Sequence, residues 1–170
     1  VQDVVGVQHV ISGLPTQTIG ANRYRFRDWS DGSALTDAFI NPNTNRVYTA
    51  NYDQVQGPLP VPWQSLDIGS PLLAGSTDFS PANQTFYVDG SGVDIHSTND
   101  QFHYVEQPLN GDGTIVARVR YQTNSNPWAK AGIMNRESTT KESNYVIAFV
   151  TPSVNPSRPN INGVGCTANG

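Results

Sequence analysis

The sequence predicts an all-β protein in two parts, and three observations carry that reading. Short runs rich in β-branched and aromatic residues alternate with period two and stop at Gly, Pro, Asn or Asp. No window longer than a few residues repeats with a helical period. The composition is loop-rich and weakly charged: 16 Asn, 14 Ser and 14 Thr stand beside 15 Gly and 12 Pro, with 14% charged residues and a net charge of −4 over 170 residues.

In the first part, residues 1–52, Val5-Gly6-Val7-Gln8-His9-Val10-Ile11 reads as a strand ending at Ser12-Gly13. Arg23-Tyr24-Arg25-Phe26-Arg27 alternates charge and aromatic, placing Tyr24 and Phe26 on one face and three arginines on the other. Ser30-Asp31-Gly32 and Asn41-Pro42-Asn43 read as turns, and residues 46–52 as a closing strand. Gly57-Pro58-Leu59-Pro60-Val61-Pro62 cannot lie inside a sheet, because proline lacks the backbone donor. That run is therefore expected to form a short polyproline II connector, within a Pro-rich linker at residues 53–62.

The second part, residues 63–170, carries strand signals at residues 84–88 and 103–107. Asn110-Gly111-Asp112-Gly113 is a turn signal before Thr114-Ile115-Val116-Ala117-Arg118-Val119-Arg120-Tyr121. In that run Ile115, Ala117, Val119 and Tyr121 alternate with the two arginines. Residues 128–134 read as a buried strand. Tyr145-Val146-Ile147-Ala148-Phe149-Val150 is apolar on both faces and is expected to be central and covered on both sides. After Thr151-Pro152 a long loop is expected.

The same composition excludes several functions. No apolar run approaches the ~18 residues of a membrane helix. Ten Lys and Arg against 14 Asp and Glu, without a basic cluster, argue against nucleic-acid binding. The low charge does not suit a coiled coil or a charged disordered tail. The single cysteine, Cys166, does not make a disulfide framework, and no zinc-ribbon or haem-attachment spacing occurs. The chain opens at Val1 without a signal-peptide pattern, which fits a segment removed or a chain cut from something longer.

Several motifs in the second part carry a resemblance. They are Trp63-Gln64-Ser65-Leu66-Asp67-Ile68-Gly69, Gly90-Ser91-Gly92-Val93-Asp94-Ile95, residues 102–109, Gly111-Asp112-Gly113-Thr114-Ile115, residues 127–134 and Arg136-Glu137-Ser138. Together they resemble a concanavalin A-like module of the group called regulation of enolase protein 1-like, found in secreted bacterial multidomain proteins. Asn135 and His96 depart from its pattern. Residues 4–52 resemble the small β module that often precedes it, through Val5-Gly6-Val7-Gln8-His9, residues 26–32 and residues 48–52. The resemblance implies a jelly-roll or concanavalin A-like sandwich over residues 63–170. It also implies that both modules are incomplete, leaving strand edges that a neighbouring chain would complete.

Candidate sites follow from residue chemistry. Glu106 and Glu137 are isolated carboxylates, where a glycosidase needs a facing pair. Asp94, His96, Asp100 and His103 lie close in sequence but match no metal-ligand spacing. Asp89-Gly90-Ser91-Gly92 and Asn110-Gly111-Asp112-Gly113 read as turns that could also hold calcium. Asn83-Gln84-Thr85 fits the glycosylation pattern. Trp29 and Trp128 are expected in the core, which leaves Trp63, just after the prolines, as the candidate ligand-binding aromatic. No Gly-rich phosphate loop or nucleophile elbow occurs. The expectation is a non-catalytic extracellular or cell-surface protein of bacterial type, without cofactor or metal. Its partner would be copies of itself, joined by strand-edge pairing in a structural or adhesive filament. The alternative is a carbohydrate-binding accessory module recognising polysaccharide.

Overall fold

A computed structural model describes residues 5–33, 35–40, 44–96, 99–152 and 162–167, the strands at 36–40 and 162–167 as backbone only. Among these residues there is no helix, and every strand pairing given is antiparallel. The all-β expectation therefore holds. The strands are β1 (Gln8–Ser12), β2 (Thr16–Ile19), β3 (Asn22–Trp29), β4 (Thr36–Ile40), β5 (Ala50–Val55), β6 (Gln64–Ile68), β7 (Ser76–Ser80), β8 (Thr85–Asp89), β9 (Phe102–Glu106), β10 (Ala131–Arg136), β11 (Tyr145–Val150) and β12 (Asn162–Thr167). They form small sheets in the orders β1-β4, β2-β3-β5, β6-β9, β7-β8 and β10-β11-β12.

The chain divides into two compact units: residues 1–59 with 78–87, and residues 60–77 with 88–170. The cut between residues 59 and 60 falls inside the 53–62 segment, and residues 78–87 return to the first unit. Asp53 and Val55 are buried in β5, so the expected linker begins inside a strand. The tip of the β7–β8 hairpin, residues 78–87, belongs to the first unit, where Phe79 bridges to Gln56. The proline segment is not uniformly extended, because Trp63 N–H donates to the carbonyl of Pro60 at 2.9 Å and closes a turn.

In the first unit the alternation of β3 decides the packing. Phe26 stacks edge-on against Trp29 and Tyr52, with ring centroids 5.7 and 5.5 Å away. A bulge between Phe26 and Asp28 shifts the register against β5. The arginine face, which the alternation alone would send to solvent, instead meets carboxylates. Arg23 pairs with Asp78 at 3.0 Å, and Arg27 with Asp53 at 3.1 Å. Buried Asp53 also accepts hydrogen bonds from Asn83 and from the Tyr87 hydroxyl, both at 2.7 Å. A buried carboxylate is tolerable when it is satisfied in this way.

The second unit buries Ile68, Tyr145 and Ile147. Beside them lies the Asp100–Arg136 ion pair at 2.9 Å, with side chains 0% and 1% exposed. The Arg136 guanidinium lies over the rings of Phe102 and Tyr145, 5.2 and 5.3 Å from their centroids. Its remaining N–H groups donate to the carbonyls of Ser138 and Thr140. Strand β11 is central, between β10 and β12, as its sequence predicts. It is not covered on both sides, however, because Val146 is 52% exposed.

Three expectations fail here. Residues 114–121 form no strand; they lie exposed and outside any ladder. Residues 128–130 precede β10 rather than opening it, and Trp128 is 64% exposed instead of buried. The strand β12, with Cys166 in register with Val146, falls where only loop was expected. Most of that expected loop, residues 153–161, lies outside the described residues.

Candidate functional site

Members of the candidate metal cluster are held by different partners, although Asp94 and His96 stay close enough to interact electrostatically. Asp94 binds the Lys130 ammonium. Asp100 is held by Arg136. His103 Nδ1 lies 2.7 Å from Asp67 Oδ1, and its Nε2 lies 3.0 Å from the Thr77 hydroxyl. No group of three His, Cys, Asp or Glu side chains able to hold a metal occurs among the described residues.

Among the described residues the chain Asp67–His103–Thr77 is the arrangement closest to catalytic chemistry, and it is not legible in sequence, since its members come from β6, β9 and β7. A neutral imidazole protonated on Nδ1 satisfies both bonds, donating to Asp67 and accepting from Thr77. That order of groups is the acid–base–hydroxyl order of a nucleophilic triad. Its surroundings enclose it. The imidazole is 4% exposed. Gly75 packs against the ring so closely that a Cβ there would lie 2.2 Å from Nδ1, and Gly90 closes on the His103 Cβ. The Gly75 N–H, a donor that could stabilise developing negative charge, is spent on both oxygens of Asp67 at 3.1 Å. The His103 bond, followed by the Gly75 bond, holds the Asp67 carboxyl below the usual carboxylate range, against the opposing effect of burial. The group ties β6, β7 and β9 together through side chains.

The isolated carboxylates are also engaged: Glu106 accepts from Gln64, and Glu137 from Asn144. The Asn83 amide, which a glycan would occupy, donates to buried Asp53. In the candidate calcium loops, Gly111 and Gly92 take positive φ values of 80° and 149°, as turn chemistry requires.

Among the aromatics the order of exposure differs from the expected one. Trp63 is half-buried at the turn before β6, whereas Trp128 is exposed. Trp29 is half-buried, and its indole N–H donates to the Leu35 carbonyl at 3.4 Å. The stretch before β10 is continuously exposed. Residues 107–121 are all exposed, including Ile115 at 48%, Val116 at 88% and Tyr121 at 52%.

Compared with known proteins, the chain matches no family model, no curated protein and no solved structure. What the geometry defines is an antiparallel all-β protein of small sheets. No helix of the described residues is long and apolar enough to cross a membrane.

Proposed function

We propose that the chain is a non-catalytic, extracellular structural or adhesive subunit that assembles with copies of itself through β-strand edges. The observation that carries this reading is the state of the sheets. Among the twelve described strands, only β3 and β11 have a ladder partner on both sides. Of the others, β7 carries the single bridge to Gln56 on its second side, and nine have a ladder partner on one side alone; such edges take up further strands. Two-stranded sheets are marginal in water by themselves. The apolar balance agrees: five hydrophobic side chains are buried among the described residues, against eighteen large ones left exposed. The weak net charge of −4 offers little repulsion between copies. The identification of residues 63–150 with the concanavalin A-like group belongs to this proposal and rests on the sequence motifs.

Negative-stain microscopy of the purified full chain tests it. Regular polymers are expected; isolated particles at every concentration would overturn the reading. A second reading, a module that binds polysaccharide, is favoured by exposed Trp128, whose ring offers a flat apolar face to a sugar. Glycan-array binding lost in Trp128→Ala or Trp63→Ala would select it.

A further inference from the structure

Residues 114–121 present an unusual conflict between sequence and structure. Thr114-Ile115-Val116-Ala117-Arg118-Val119-Arg120-Tyr121 is an eight-residue run with strand alternation and high β propensity. In the structure it joins no sheet, and every one of its side chains is exposed. A strand-competent segment outside a ladder leaves its backbone groups without strand partners and its apolar side chains in water. Ile115, Val116, Val119 and Tyr121 are 48%, 88%, 40% and 52% exposed.

From this we infer that residues 114–121 are a donated strand, taken up by an open strand edge of a second copy of the chain. The inference rests on the assembly reading above and names the segment that carries it. Two further observations select a second copy as the partner. Nine of the twelve described strands have a ladder or bridge partner on one side alone, so the same molecule offers acceptor edges. The charges are also complementary: the segment carries +2 from Arg118 and Arg120, so with a net charge of −4 the remainder carries −4 − 2 = −6. In the assembled state the Ile115, Ala117, Val119 and Tyr121 face would cover apolar surface on the acceptor. Arg118 and Arg120 would lie across acidic surface on the other side.

The test uses the full chain and its Ala117→Pro variant. Proline removes a ladder donor where the isolated chain uses none in a sheet, so folding is expected to be unchanged by near-UV circular dichroism. Wild type is expected to polymerise and Ala117→Pro to remain monomeric. A synthetic peptide of residues 113–122 is expected to bind the Ala117→Pro monomer, and a scrambled peptide not to bind. Arg118→Glu, a milder change, is expected to raise the concentration at half-assembly about threefold. Polymers of Ala117→Pro indistinguishable from wild type would overturn the donor assignment while leaving edge assembly standing, as would a peptide that fails to bind. A wild type that never polymerises would overturn both.

Discussion

Two segments of this chain have nearly the same strand-forming character and opposite fates. Residues 145–150 form β11, paired on both sides, with Tyr145 and Ile147 buried. Residues 114–121 are as rich in β-branched and aromatic side chains and yet stay outside every sheet. The difference lies in their neighbours along the chain. A short connection joins β10 to β11, closed where Glu137 N–H donates to the Asn144 carbonyl and Ser143 N–H to the Thr140 carbonyl. Arg136, whose guanidinium is held by Asp100 and the Ser138 and Thr140 carbonyls, anchors the same connection. Residues 114–121 have no such local partner, being flanked by the loops 107–113 and 122–130. Strand propensity describes a willingness to pair; a nearby partner decides whether the pairing is made within the chain.

That contrast can be broken first at its anchor. Arg136→Ala leaves Asp100 buried without its countercharge and is expected to cost about 3–5 kcal/mol in chemical denaturation. A loss under ~1 kcal/mol would mean that the pair does not hold β10 and β11 together. Next comes the packed strand itself: Ile147→Ala is expected to cost about 2–4 kcal/mol, measured in the same way.

The first unit shows how much of such architecture is legible in sequence. The period-two pattern of residues 23–27 correctly separates aromatics from arginines. It cannot show that the arginine face is covered, because Asp53 and Asp78 come from elsewhere in the chain. The same limit explains the three-strand link at His103. Asp67, Thr77 and His103 are spread over 36 positions and become neighbours only when β6, β7 and β9 are in place. Alternation identified β3, strand-rich runs beside turn residues identified β8 and β9, and an unbroken apolar run identified β11. Polar strands such as β2, Thr-Gln-Thr-Ile, and β7, Ser-Thr-Asp-Phe-Ser, lack the apolar contrast that periodicity needs. Trp128 was expected in the core because it adjoins an apolar run, but β10 begins three residues later at Ala131.

A smaller effect sharpens the role of the His103 link. The folded state keeps Asp67 ionised to lower pH than the unfolded chain does, mainly through the His103 hydrogen bond. Its contribution to stability is therefore complete above about pH 4 and is lost as pH falls through the folded value. In acid titrations followed by fluorescence, Asp67→Asn is expected to flatten that acid limb. The smallest effect belongs to the segment outside the ladders. Val116→Ser, at a side chain 88% exposed, is expected to change monomer stability by less than about 0.5 kcal/mol. A larger loss would show that residues 114–121 are packed within the chain.

Edge pairing between copies is the central claim, and sedimentation velocity of the full chain over a range of micromolar concentrations tests it most directly. The account predicts species that grow with concentration. A single compact monomer across the whole range would contradict it.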